Sequence, residues 1–481
     1  MAEGKLRVLS VTSEAVPLIK SGGLADVAGA LPLALAPLGV EMRVMLPAYP
    51  GLAAKIGPSK VVWAAPDLFG GPARLLAGQA GGVDFLLLDA PHLYGRTGGP
   101  YLGPDGKDYP DNPERFAALS WAAMAVCRDG LTDGWTPGVM HGHDWQAALT
   151  PLYLRRQGVA CPSILTIHNI AFQGLAPYEK LAALRLDLAD FTSGDLEYWG
   201  QISTLKAGII HADQVTTVSP TYAIELQREE FGMGLHGVIN ARPGGVRGIL
   251  NGIDEAVWNP ETDPEVRNYS LRTLTPRKGN RKALLKEFGL KETGGPLAIV
   301  VSRLTRQKGL DLLPEVLPAF VAGGGMVAVL GSGDRDLEEA LAGLATAHPG
   351  RIGLRIGYNE TLSHLMFAGG DAVVIPSRFE PCGLTQLYGL RYGAVPVVTA
   401  TGGLADTVIA ANPAALAAGV ATGIVMHRTD PLALHMAFSQ LLALYAQPET
   451  FTQIRKAGMR ADFGWSRSAA AYADLYHGMR A

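Results

Sequence analysis

Short runs rich in Val, Ile and Leu alternate along this chain with longer amphipathic stretches, and the alternation starts twice. The first set of runs covers residues 6–11, 41–46, 83–88, 162–167 and 214–218. The second covers 297–301, 326–330, 352–356, 372–376 and 395–398. Strands this apolar, joined by helical crossovers, read as a parallel sheet buried on both faces. A chain of 481 residues is too long for one core, so the pattern predicts an α/β protein of two doubly wound, Rossmann-like domains. Arg242-Pro243-Gly244-Gly245 and Leu250-Asn251-Gly252-Ile253-Asp254 lie between the sets and supply turn formers suited to a hinge. The expected domains are 1–247 and 248–461, with 462–481 as a closing segment that could pack back on the first. A cleft is expected between the domains, with ligands at the carboxyl ends of the strands.

Composition removes several functions. Charged residues make up only 18% and the formal net charge is −3, so no clustered positive field is on offer to nucleic acid or to an anionic membrane. An anionic ligand must be caught by a few placed cations and backbone amides. Cys127, Cys161 and Cys382 are widely spaced with no CxxC pair, which excludes a cysteine-built zinc site and a disulfide scaffold. No apolar run reaches the roughly 18 residues of a spanning helix. The first residues run straight into a strand-like segment, without the apolar stretch and cleavage site of a signal peptide. A soluble, cytoplasmic protein is expected.

The chemistry-bearing motifs follow the strands. Lys20-Ser21-Gly22-Gly23 comes after the first strand. Its glycines permit a nest of amides, the following helix (24–38) presents its positive end, and Lys20 adds a full charge. It is neither a Walker loop nor GxGxxG. Gly22-Gly23-Leu24-Ala25-Asp26 recurs as Gly402-Gly403-Leu404-Ala405-Asp406. The pair reads either as two helix N-termini offering amides to an oxygen-rich ligand or as ordinary tight turns. Arg303 and Lys308, just past the first strand of the second set, could converge on a diphosphate, with Arg306 facing solvent. A solvated basic turn is the plain alternative.

Arg378-Phe379-Glu380-Pro381-Cys382-Gly383-Leu384-Thr385 follows the strand ending near Ile375. Prolines and glycines around Glu380 fix its carboxylate, which could accept sugar hydroxyls, while the amides of Gly383, Leu384 and Thr385 bind phosphate. Cys382 has no neighbouring base to make it a nucleophile, so packing or a weak ligand contact is its expected part. His141-Gly142-His143-Asp144 lacks a fourth ligand at helical spacing, and no metal is expected. His141 reads as a satisfied structural histidine. Asp144 and His168 fit hydroxyl-binding groups at strand ends. Tyr101 and Tyr358 could stack on a sugar or a base, or be half-buried loop tyrosines.

Read together, these segments resemble the bacterial glycogen synthase and plant starch synthase family of retaining glycosyltransferases. The resemblance is carried by Lys20 to Val27, His143-Asp144-Trp145, His168-Asn169, Lys206-Ala207-Gly208, Val218 to Tyr222, Leu250 to Asp254, Ser302-Arg303-Leu304 with Gln307-Lys308-Gly309, Pro376 to Gly389, and Thr401 to Asp406. They run in order over essentially the whole chain.

The resemblance implies a GT-B fold, with two Rossmann-like domains facing each other across a deep cleft. It implies ADP-glucose as donor, the non-reducing end of glycogen or another α-1,4-glucan as acceptor, retention of configuration, and no metal or other cofactor. By the same resemblance, Lys20, Arg303 and Lys308 would bind the diphosphate. Gly23, Gly383, Leu384 and Thr385 would contact phosphate, with Cys382 beside them. Glu380, His168, Asp144 and Asn251 would hold the transferred glucose, Tyr358 would lie against the adenine, and Asp26 and Tyr101 would serve the acceptor side. Lys20, His168, Arg303, Lys308 and Glu380 are the implied catalytic set. Ser21 stands where the family usually has Thr, which keeps a hydroxyl. Tyr388 stands where broader relatives often carry a second Glu, and this departure from them matches the glycogen and starch synthases. A non-catalytic glucan-binding relative, or a glucosyltransferase with another donor or a small acceptor, remain the alternatives.

Overall fold

The computed structural model describes residues 5–479. Residues 1–4 and 480–481, at the two ends of the expected first domain and closing segment, lie outside the described residues. The chain divides into two compact units, one of Met1–Gly252 with Trp465–Ala481 and one of Ile253–Gly464.

The strands of the first unit are β1 (Leu6–Val11), β2 (Val40–Pro47), β3 (Lys60–Ala65), β4 (Ala73–Ala80), β5 (Val83–Asp89), β6 (Val139–His143), β7 (Ser163–Ile167), β8 (Leu175–Pro177), β9 (Glu197–Tyr198), β10 (Gln201–Ser203), β11 (Gln214–Thr217) and β12 (Arg247–Gly248). Nine form one sheet in the order β12-β11-β7-β6-β1-β2-β5-β4-β3, and β8, β10 and β9 form a small antiparallel sheet. The sheet is not wholly parallel: β3 and β4 pair antiparallel at one edge, β4 with β5 as well. The Gly81-Gly82 turn, with φ of +57° and +79°, joins β4 to β5 as a hairpin, where a parallel arrangement would need a helical crossover.

In the second unit β13 (Leu297–Val301), β14 (Met326–Gly331), β15 (Ile352–Ile356), β16 (Ala372–Ile375), β17 (Val395–Thr399) and β18 (Ile424–Met426) lie in the order β15-β14-β13-β16-β17-β18. Every pairing is parallel, and the order is that of a dinucleotide-binding Rossmann sheet.

The continuous apolar runs are explained by two-sided burial. Along β13, Leu297 and Ile299 enter one core while Ala298 and Val300 enter the other. Along β1, Leu6 and Val8 face one cluster and Leu9 and Val11 another. A strand with a period of two feeds two cores only if neither side faces water.

The boundaries differ from the expected 247/248 and 461/462. β12 pairs with β11 and Ile249 joins the first unit's core, which carries that unit on to Gly252. Ile253 donates its amide to Phe463 O at 2.9 Å within the second unit, so the entering and leaving segments run side by side there. The helix Trp465–Gly478 returns to the first unit, where Trp465, Ala469, Tyr472 and Tyr476 pack with Val27, Leu31 and Leu35 of the helix Gly23–Leu35. Among the described residues no helix is long and apolar enough to cross a membrane.

Candidate active site

Strand order alone marks where side chains can meet a ligand in each unit. In an open α/β sheet the crevice opens at the carboxyl ends of the two strands where the order reverses. In the second unit those strands are β13 and β16, and their following loops carry Arg303 with Lys308 and Ser377 with Glu380.

These two loops are sewn together. Arg378 N donates to Gln307 O at 2.9 Å, and the Arg378 guanidinium bonds Asp311 through both carboxylate oxygens at 2.6 and 2.8 Å. Gly309 has φ +68°, and a Cβ there would overlap the carbonyl oxygen of Pro376. The result brings Lys308 Nζ to 2.6 Å from Glu380 Oε2, which also accepts from Ser377 Oγ at 2.9 Å. Both bonds fall on one oxygen, leaving Oε1 to accept from a ligand. Lys308 and Glu380 were expected to serve separate tasks; the structure makes them an ion pair, with Glu380 buried. Arg303 is exposed and makes no ion pair among the described residues, and Arg306 faces solvent.

The helix Thr385–Tyr392 opens directly after this loop. The amides of Gly383, Leu384 and Thr385 donate to no partner among the described residues, the state in which a helix N-terminus can receive an anion. Gln386 Nε2 donates to the carbonyls of Cys382 and Gly383, both at 2.9 Å, and holds the loop from below. Cys382 is buried. Tyr358, following β15, is 74% exposed and bonds Glu360 through its hydroxyl, so a broad ring face stands open at the same edge of the sheet.

The echo Gly402-Gly403 does not act as a ligand nest. Gly403 N donates to Glu380 O at 3.1 Å and to Pro381 O at 3.2 Å. A side chain on Gly402 would overlap Glu380 O, and one on Gly403 would overlap Cys382 O. This pair of glycines clamps the Glu380 loop to the start of the helix Gly402–Thr407.

In the first unit the order reverses at β1 and β6. The nest at Ser21 and Gly22 is already filled, since both amides donate to the Glu14 carboxylate. Glu14 is 3% exposed, and its burial raises its carboxyl above the ordinary range against the pull of those amides and of Tyr101. Any anion at this turn is left with Gly23 and Lys20, and Lys20 pairs with Asp26 at 2.8 Å. A cation and a carboxylate assigned to different substrates thus partly neutralise each other. Tyr101 OH donates to Glu14 Oε1 at 3.2 Å and shares a 2.7 Å bond with Ser13 Oγ. Glu14 and Ser13 were missed by the sequence reading; the available signal was a lone carboxylate three residues beyond β1 in an otherwise uncharged run.

Asp144, after β6, has φ +53° and is buried. Its Oδ1 accepts from His168 N at 2.6 Å and Asn169 N at 3.3 Å, which joins the ends of β6 and β7. Burial pushes its carboxyl up to about 7, against the pull of those two amides. Asn251 is buried, with Oδ1 unpartnered among the described residues. His141 is consumed by Tyr476 OH at 2.8 Å and Thr166 Oγ1 at 2.6 Å, as a structural histidine should be. Among the described residues no group of three or more His, Cys, Asp or Glu is placed to hold a metal ion.

The raised Asp144 carboxyl has a measurable consequence. The folded protein keeps this proton up to about pH 7, whereas an unfolded chain releases it near pH ~4. The stabilisation is therefore complete below about pH 4 and is lost as pH rises towards 7. Asp144→Asn keeps a neutral acceptor at the same place. Thermal unfolding should find it gaining stability relative to wild type as the pH rises from 5 to 8; a difference that stays the same across that range would mean the carboxyl is ordinary.

The comparisons with known proteins accord with this geometry. The family model for the starch synthase catalytic domain matches residues 7–241, and that for glycosyl transferases group 1 matches residues 282–458. A glycogen synthase of Cereibacter sphaeroides is 58% identical over 477 residues, covering 99% of each chain. One from Paracoccus denitrificans is 56% identical, over 99% of this chain and 100% of its own. The chain belongs to the bacterial glycogen synthase and plant starch synthase family. Among solved structures, the catalytic domain of starch synthase IV from Arabidopsis thaliana, bound to ADP and acarbose, has a TM-score of 0.87 at 30% identity and 99% coverage of both chains. The chain is thus a glucosyltransferase with the GT-B fold.

Proposed function

We propose that this chain transfers glucose from ADP-glucose to the non-reducing end of glycogen or a related α-1,4-glucan in the cytoplasm, with retention and without a metal. The observation that carries the reading is the Lys308–Glu380 pair at the strand-order reversal of the second unit, beside Arg303 and three open amides. That combination suits a sugar linked to a diphosphate.

In this reading the second unit is the donor domain. Arg303, Lys308 and the amides of Gly383, Leu384 and Thr385 take the diphosphate, Tyr358 takes the adenine face, and Cys382 packs beneath. Glu380 accepts sugar hydroxyls through Oε1. Breaking the bond from C1 to the diphosphate builds negative charge on the departing oxygen, which the placed cations stabilise. From the first unit, Lys20 and Gly23 contribute to phosphate, Asp144, His168 and Asn251 hold the glucose, and Asp26 and Tyr101 serve the glucan acceptor.

Retention by double displacement would need a carboxylate nucleophile beneath C1. Glu380 is poorly suited, because the Lys308 ammonium on Oε2 draws charge from the whole carboxylate and the open oxygen, Oε1, is the one given to sugar hydroxyls. Same-face attack, with the leaving phosphate taking the acceptor's proton, fits these contacts better.

Radiolabelled ADP-glucose or UDP-glucose, offered with glycogen, maltose or no acceptor, tests the reading. Label should enter glycogen from ADP-glucose in α linkage. Incorporation only into a small acceptor, or none at all, would reject it.

A further inference from the structure

His143 lies at the end of β6 with no exposed surface, and its ring is used at both nitrogens. Nε2 stands 3.1 Å from Ser10 Oγ on β1, and Nδ1 stands 3.0 Å from His168 Nε2 beyond β7. His168 is half-buried, and its remaining nitrogen, Nδ1, bonds nothing among the described residues. Three adjacent strands thus supply one chain of groups, Ser10–His143–His168, ending at a nitrogen left for a ligand.

The chemistry of that chain is restrictive. Burial holds both rings well towards the neutral form, so each carries one N–H. At the contact between the rings one nitrogen must donate and the other accept. If His143 Nδ1 carries the proton, His168 must carry its own on Nδ1. If His168 Nε2 carries it, His143 must carry its own on Nε2. The two rings therefore always share a tautomer, and the Ser10 hydroxyl, able to donate or accept, closes either arrangement. The character of His168 Nδ1 as donor or acceptor is tied to His143.

We infer that His143 is a positioning residue for the transferase reaction, and that the Ser10–His143–His168 chain sets the orientation and tautomer that His168 presents to the sugar. The inference rests on His168 acting at the substrate, as in the reading above. It assigns no substrate contact to His143.

Side-chain shape separates this role from simple packing. An Asn at 143 places an amide atom where Nδ1 was, and the amide can flip to donate or accept. A Gln extends to the place of Nε2 and abandons His168. At saturating ADP-glucose, His143→Gln should lower kcat about 10- to 100-fold, as a misplaced active-site group does, with little change in KM for glycogen. His143→Asn should recover most of the loss. In spectra of ¹⁵N-histidine-labelled protein, Ser10→Ala, a small change tolerant of folding, should shift the tautomer signals of both rings together.

Equal damage from Asn and Gln, or a Ser10→Ala spectrum with His168 unchanged, would overturn the inference. His143→Gln with normal turnover beside an inactive His168→Ala overturns it too while sparing the site reading. A fully active His168→Ala removes the site reading itself and this inference with it.

Discussion

Lys308→Ala is expected to lower turnover at saturating ADP-glucose by about 10²- to 10³-fold, the range for removing one preorganised group that meets developing charge. Two losses coincide in this variant. The departing diphosphate loses a cation, and Glu380, buried and bonded at 2.6 Å to the lysine, keeps only the Ser377 hydroxyl as a side-chain partner among the described residues. A buried carboxylate left without its counter-charge costs about 3–5 kcal/mol, and without the lysine Glu380 is no longer held in place to accept from sugar hydroxyls. Glu380→Gln should be similarly impaired, for it loosens the lysine as well as the sugar contact. The double variant Lys308→Ala/Glu380→Gln should then be little worse than either single one, because residues acting as a unit do not add. Steady-state rates with glycogen, read beside circular dichroism and thermal unfolding, check this. Fully additive losses would mean the two side chains work independently, and near-normal turnover in Lys308→Ala would remove the lysine from the chemistry.

Why the fold was legible and parts of the site were not is clear from particular residues. β13 and β14 announce themselves because both faces are buried, so Leu297 to Val301 and Met326 to Leu330 contain no polar residue to blur the signal. β3, at the sheet's edge, carries an apolar run too, Val61 to Ala65, but only Val62 in it is buried, and it was not among the expected strands. β6 reads Val-Met-His-Gly-His, since its end is spent on the histidine chain rather than on packing. The motif around Glu380 was visible because prolines and glycines concentrate where a backbone must be fixed. Its pairing with Lys308 was not, because 72 residues separate them and only the parallel pairing of β13 with β16 brings their loops together. Glu14 escaped for another reason: it fills a nest that looked ready for phosphate. Local sequence shows that amides can converge, but not which oxygen reaches them first.

The repeated Gly-Gly-Leu-Ala-Asp motif yields a contrast that sequence likeness alone would deny. Gly22 has extended backbone, with φ −157°, and a Cβ there would meet nothing within 4 Å. Gly402 has φ +42°, and its Cβ would drive into Glu380 O. Gly22→Ala is therefore expected to fold as wild type, with thermal stability within a degree or two and activity reduced modestly at most. Gly402→Ala must both hold a left-handed conformation that costs a residue with a Cβ about 1–2 kcal/mol and push away the backbone that carries Glu380, at about 1–3 kcal/mol for an overpacked site. Relaxation can proceed only by moving the Glu380 loop, because Gly403 N is bonded to that same carbonyl and Gln386 holds the loop from the other side. A shift of about 1 Å at the carboxylate suffices for a 10²-fold loss of rate, so Gly402→Ala should lose turnover out of proportion to its loss of stability. Two alanine variants with the same thermal stability and the same kcat would show that the glycines are interchangeable turn formers, and that the clamp on Glu380 does not exist.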